Sequence, residues 1–183
     1  MVIINYHNIT YPDMLNGDGL RVVLWLSGCS HHCKGCQNPQ TWDSNSGILF
    51  DDSAKEELFR ELEKDYISGI TLTGGDPLHR NNLKEVLLLL EEIKSKYPNK
   101  SIWLYTGYVF EDILNKIYGT DYIDNYNVDF LRQVIIYKCD VLVDGTYIEE
   151  QRDVTLKWRG SSNQRVIDVK ESLEQNTIVL HCD

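Results

Sequence analysis

The chain has no excess of positive charge. Its 183 residues carry 18 Lys and Arg against 28 Asp and Glu, a formal charge of −10. That balance weighs against nucleic acid and anionic membranes as partners, since both need a basic face. No apolar run is long enough to cross a bilayer, and the longest, VLLLLEEI, is broken by Glu91 and Glu92. The start, MVIINYHNITYPD, lacks the basic opening and apolar stretch of a secretory signal. No internal repeat, low-complexity tract or Pro/Gly-rich linker divides the chain. Five cysteines are an odd, unevenly spaced set, which suits metal ligands in a reducing cytoplasm and not a disulfide framework. With 42% hydrophobic and 25% charged residues, the composition is that of an ordinary globular protein. The expectation is a single cytoplasmic domain spanning residues 1–183, long enough for a real core.

Short apolar runs alternate with helical patterns. RVVLWLSG, from Arg21 to Gly28, is β-branched and aromatic, too short for a helix, and reads as a buried strand. DDSAKEELFRELEKDY places Ser53 and Glu56 at capping-box spacing ahead of Leu58, Leu62 and Tyr66, and reads as a helix. Ile70 to Thr73 is a short strand running into the TGGDP turn. Leu83, Val86, Leu87, Leu90, Ile93 and Tyr97 share one helical face, with Pro98 as the stop. SIWLYTG, YVFEDILNKIYG and CDVLVDG then read as strand, helix and strand. TDYIDNYNVDFLRQVII lacks clear periodicity and is taken as an irregular excursion. The tail NQRVIDVKESLEQNTIVLHCD reads as a terminal hairpin. Alternating strands and helices predict an α/β fold with a parallel sheet. A closed eight-unit barrel needs about 250 residues, so an incomplete (β/α) barrel or an open doubly wound sheet is expected.

Each chemically pointed feature follows a strand. The cysteine cluster follows VVLWLSG, TGGDP follows ITL, TGY follows IWLY and DGTY follows VLV. Loops at the carboxyl ends of parallel strands share one rim, where ligands bind. Cys29, Cys33 and Cys36 lie within eight residues, in GCSHHCKGC. Thiolates are soft ligands for iron–sulfur clusters or zinc. Three of them leave a position open on a four-iron cluster, as a reactive site requires. The alternative is a zinc site completed by His31, His32, Cys139 or Cys182, disfavoured because no second cysteine pair stands at ligand spacing. His31 and His32 are read as merely flanking the cluster. In TGGDP, Gly74 and Gly75 allow close backbone approach to a ligand, and Asp76 offers a charge suited to an ammonium group. WRGSSNQRVID, from Trp158, admits three readings: an anion-gripping loop, a partner-binding edge or only a polar turn with Arg159 solvated.

C-x3-C-x2-C after a first strand resembles the radical S-adenosylmethionine superfamily. That resemblance implies an incomplete barrel and a [4Fe-4S] cluster on Cys29, Cys33 and Cys36, whose open iron is chelated by S-adenosylmethionine. It implies that Gly74, Gly75 and Asp76 hold the methionine end, although the family's usual Gly-Gly-Glu is here Gly-Gly-Asp. It also implies that Gly35, Cys36 and Gln37 lie near the adenine through backbone contacts. Thr106, Gly107 and Asp144, at later strand ends, are candidates for lining the ribose or carboxylate. NGDGLR and QNPQTWD are similar to segments of glycyl-radical enzyme activases, and WRGSSNQ to those serving anaerobic ribonucleoside-triphosphate reductases. The expected partners are therefore that reductase, carrying the target glycine, and a flavodoxin-like electron donor. A pyruvate formate-lyase-type activase, a small-molecule radical enzyme such as a deazaguanine-forming synthase, and a zinc-stabilised binding module are the rival readings.

Overall fold

Four strands whose residues are largely apolar line up in parallel at the centre of the sheet, because each of the first three is followed by a crossover that returns over the same face. The computed structural model describes residues 4–116, 118, 120–123 and 126–182. In chain order the elements are β1 (Asn5–Asp13), β2 (Leu20–Leu26), β3 (Ile48–Leu49), α1 (Asp52–Leu62), β4 (Ile67–Gly74), α2 (Leu83–Lys96) and β5 (Ser101–Tyr105). There follow α3 (Phe110–Leu114), the small pair β6 (Tyr122–Ile123) and β7 (Tyr126–Asn127), α4 (Val128–Lys138), β8 (Val141–Asp144), β9 (Arg165–Asp168), α5 (Val169–Gln175) and β10 (Leu180–Cys182). The main sheet has the order β10-β9-β8-β5-β4-β2-β1-β3. Within it β2, β4, β5 and β8 pair in parallel.

Alternation along the strands divides the core in two. Ile102 and Leu104 of β5, Leu142 of β8 and Ile167 of β9 join Leu58, Leu62, Val86, Leu90, Ile93, Ile135 and Ile136 from the helices in the larger cluster. Each fully buried leucine there stabilises the fold by about 1.5–3 kcal/mol. On the opposite face Trp103, Val141, Val143 and Val166 form a second cluster, with Tyr105, Trp158 and Cys182 packed against it. Trp103 takes the edge of Trp158 at 4.9 Å and of His181 at 5.1 Å between centroids, with the Arg21 guanidinium 5.3 Å from its ring. Arg21 is fully buried and spends its donors on Thr71, Ser101, Asp18 and Ile70. It is a structural cation, and burial lowers its pKa to about 10.

The α/β class and the parallel core match the expectation, and the strands of the described residues form no closed barrel. Five features differ. First, the sheet is mixed: β1 and β3 flank one side and β9 and β10 the other, all antiparallel. Second, the first helix is capped by Asp51, whose carboxylate accepts from Ala54 N at 2.9 Å, and not by Ser53. Third, the supposed irregular excursion contains α4, capped by Asn127. Fourth, the tail does pair as β9 with β10, but α5 lies between them. Fifth, the third helix is shorter than expected, and its expected end at Ile117 and Gly119 lies outside the described residues.

Candidate functional site

The cysteine loop leaves the end of β2 and is tied down by main-chain bonds. Gly28 N donates to Thr41 O at 2.7 Å and Cys29 N to Trp42 O at 3.0 Å, so the loop returns on itself. Cys36 N donates to Cys33 O at 3.1 Å, closing the turn that contains Gly35. Gln37 is exposed just beyond it. No disulfide joins any of the five cysteines, and the three of the loop are partly exposed. Cys139 is buried among the helices, its thiol donating to Ile135 O, and Cys182 lies with the second core cluster.

Burial pushes the Cys29 thiol up to about 11, against the main-chain N–H groups of His31 and His32, which favour its thiolate. Cys33 is raised by burial too, with the Tyr147 N–H acting in the other direction. Asn38 N donates to Cys36 Sγ at 3.4 Å. Each sulfur thus has a main-chain donor that would stabilise negative charge on it, as iron-bound thiolates require. The buried Trp42 indole N–H, in the same loop, has no acceptor among the described residues. Among those residues no three His, Cys, Asp or Glu side chains converge on a point able to hold a single metal ion. A cubane binds each cysteine to a different iron, and three thiols on one loop have the soft donor chemistry for it. The residues present fit a cluster.

The second loop is held against the first. Gly75 N donates to Leu26 O and Asp76 N to Gly28 O, both at 2.7 Å. A Cβ on Gly75 would lie 2.5 Å from Gly28 O, so only glycine permits this approach. Asp76 is 2% exposed. Its Oδ1 accepts from Leu78 N at 2.8 Å and from Thr106 Oγ1 at 3.0 Å. Its Oδ2 accepts from Gly107 N at 3.0 Å and lies 2.8 Å from His31 Nε2. Asp76, Thr106, Gly107 and the cysteine loop are therefore gathered around one carboxylate. His31, read from the sequence as a flanking residue, is its fourth partner. Tandem histidines between two cysteines carried no signal that would have separated His31 from His32, which instead stacks on Trp42 with centroids 4.7 Å apart.

Asp144 stands at the fourth strand end but is spent elsewhere. Its Oδ2 accepts from Phe110 N at 2.9 Å, at the start of α3, and its Oδ1 from Arg165 Nε at 2.9 Å. Arg165 also grips Glu111 through two bonds of 2.9 and 2.7 Å. The WRGSSNQ segment likewise turns inward. Gln164 Oε1 accepts from Gly160 N and Ser161 N, while its Nε2 donates to Gly145 O at 3.0 Å. Asn163 Nδ2 donates to Thr146 O at 2.8 Å. These groups brace the loop after β8, and Arg159 is drawn into it and not simply solvated: its Nη1 donates to Gln164 O at 3.0 Å and its Nε is buried. That loop reaches the cysteines, where Lys34 pairs with Glu149 at 3.3 Å and Glu150 at 2.9 Å.

A family model described as a 4Fe-4S single cluster domain matches residues 15–167. Across 162 residues the chain is 43% identical to the anaerobic ribonucleoside-triphosphate reductase-activating protein of Enterobacteria phage T4, covering 88% of this chain and 92% of that one. The chain belongs to this family of activating proteins. The family member from Haemophilus influenzae is 38% identical over 162 residues, 87% of this chain and 95% of its own. The Escherichia coli K12 activating protein is 37% identical over 164 residues, 88% of this chain and 97% of its own. The match begins at Leu15, after β1, and takes in the cysteine loop, the Gly74–Asp76 turn and the WRGSSNQ segment. No helix among the described residues is long and apolar enough to cross a membrane.

Proposed function

We propose that this protein activates an anaerobic ribonucleoside-triphosphate reductase by placing a glycyl radical on it. The carrying observation is a rim on which three free cysteines, each near a main-chain N–H donor, stand beside a glycine turn within a chain of the activating-protein family. A [4Fe-4S] cluster and S-adenosylmethionine, when bound, supply the chemistry: one electron from a flavodoxin-like donor splits the sulfonium to methionine and a 5′-deoxyadenosyl radical, which takes a hydrogen atom from the reductase glycine and ends as 5′-deoxyadenosine.

The residues have separate tasks. Cys29, Cys33 and Cys36 hold the cluster, and their loss of protons on loading makes uptake favoured by higher pH. Gly74 and Gly75 bring main chain close to the methionine end. Gly35, Cys36 and Gln37 border the adenine, and Thr106 and Gly107 stand at the next strand end. Asp144, occupied by Arg165 and the start of α3, serves this site by fixing that strand end. The sheet does not close, so a glycine-bearing segment of a protein has a way in, and the partner's surface completes the exclusion of water.

Anaerobic incubation of the iron-loaded protein with S-adenosylmethionine and a reductant is expected to release 5′-deoxyadenosine. Adding the reductase is expected to give a glycyl-radical signal by electron paramagnetic resonance. Release without any signal on the reductase would redirect the activity to another target, and no release would end the proposal.

A further inference from the structure

Asp76 has no acceptor capacity to spare. A carboxylate offers about four lone-pair sites, and four donors fill them: Leu78 N–H, the Thr106 hydroxyl, Gly107 N–H and His31 Nε2–H. A carboxylate only accepts, so the His31 nitrogen facing it carries the proton. A ligand ammonium reaching this 2%-exposed group would have to displace one of them. The four donors come from three different loops, after β2, β4 and β5. His31 alone among them belongs to the cysteine loop, midway between Cys29 and Cys33. Its ring is held from the other side as well. Tyr108 meets it edge-on at 4.7 Å, and Arg132 lies over Tyr108 at 4.4 Å and donates to its hydroxyl at 2.8 Å. Arg132 Nε in turn donates to Leu78 O at 3.1 Å, on the loop that starts from Asp76.

We propose that Asp76 and His31 are a positioning pair: the carboxylate fastens the segment between Cys29 and Cys33 to the ends of β4 and β5, and affects bound S-adenosylmethionine only through that placement. The methionyl amino group is then left to main-chain acceptors of the Gly74–Gly75 turn. This rests on the reading of the site as an S-adenosylmethionine site, but the fastening itself is a property of the protein without any ligand. Asp76 is shorter than the glutamate usual in the resembled superfamily, and that length keeps its carboxylate within reach of its own loop's Leu78 N–H.

The pair is tested with His31→Phe, which keeps a ring against Tyr108 but removes the N–H, and His31→Gln, which keeps an N–H donor at similar reach. In the metal-free protein, hydrogen exchange of the amides from Cys29 to Cys33 should speed up about tenfold in His31→Phe and stay near wild type in His31→Gln. In anaerobically loaded protein, equilibrium binding of S-adenosylmethionine should weaken about tenfold in His31→Phe and Asp76→Asn, and no further in the double variant. Unchanged exchange in His31→Phe overturns the pair whatever the ligand. Additive losses, or a loss in Asp76→Asn with none in His31→Phe, overturn the indirect role and return Asp76 to the ligand. Should Asp76→Asn not fold, the Phe and Gln variants at His31 decide alone: equal binding by both rejects the proposal. Wild-type protein that loads iron yet binds no S-adenosylmethionine refutes the site reading, and the exchange result still judges the fastening separately.

Discussion

A methyl group on Gly107 would sit 2.4 Å from the Cδ2 of His31, well inside contact distance, so Gly107→Ala must move either the histidine or the loop. Overpacking of this kind costs about 1–3 kcal/mol, and thermal unfolding of the metal-free variant should show that loss. The cysteines divide more sharply. Cys29→Ser, Cys33→Ser and Cys36→Ser should each lose most of the bound iron and the broad visible absorption of anaerobically loaded protein. Cys139→Ser and Cys182→Ser should keep both, because one is buried among helices and the other lies with the second core cluster. The three-cysteine loop stood out in the sequence because soft donors at a repeated short spacing have few structural uses, and the iron content of these variants tests the ligand role proposed for it. His31 was not legible, because its role depends on a carboxylate 45 positions further along the chain. Nor could composition tell that Asp76 and Asp144 are satisfied inside the protein; an aspartate after a strand reads the same whether it faces a ligand or an arginine.

At the scale of elements, local pattern succeeded where one face of a helix is apolar and failed where most of it is buried. In α2 the apolar positions repeat with helical spacing, and Leu83, Val86, Leu90 and Ile93 are buried as expected. In α4 the buried set includes Asp129 and Gln133 beside Val128, Leu131, Ile135 and Ile136. Its β-branched run and buried polar groups blur the period, so the helix was taken for irregular chain. Gln133 is tolerated there because its amide donates to Ile113 O at 3.0 Å. The start of α1 shows a finer error: Asp51 and Ser53 are both good capping residues, and only the backbone decides between them. Asp51→Ala should cost about 1 kcal/mol of stability, while Ser53→Ala should be close to neutral. Chemical denaturation of the two variants distinguishes them, and the reverse order would restore the Ser53 cap.

Across the whole molecule, the parallel core carries the rim and antiparallel pairings extend the sheet on both sides. Edge strands are hard to read from sequence because their pairing skips an element: β3 pairs with β1, skipping β2 in the chain, and β10 pairs with β9 only after α5. One side chain adds to the backbone ladder that pairs the antiparallel strand β9 with β8. Arg165 of β9 binds Asp144 of β8, which is 1% exposed, and Glu111 of α3. The Arg165 guanidinium holds the Glu111 carboxyl below its ordinary range, and both carboxylates hold the arginine pKa up. A carboxyl whose folded pKa is depressed binds protons more readily in the unfolded chain. Its stabilising contribution is therefore complete above the unfolded value near 4.5 and is lost as pH falls through the lower folded value. Glu111 is partly solvated, so the contribution is no more than about 1 kcal/mol. Glu111→Gln should lower stability slightly at neutral pH and match wild type in strong acid. Urea midpoints measured from pH 7 down to pH 3 would show the two curves converge. Curves that stay parallel would mean that Arg165 is held by Asp144 alone, and that the Glu111 pair adds nothing to the core packing of Phe110 and Ile113 that holds α3.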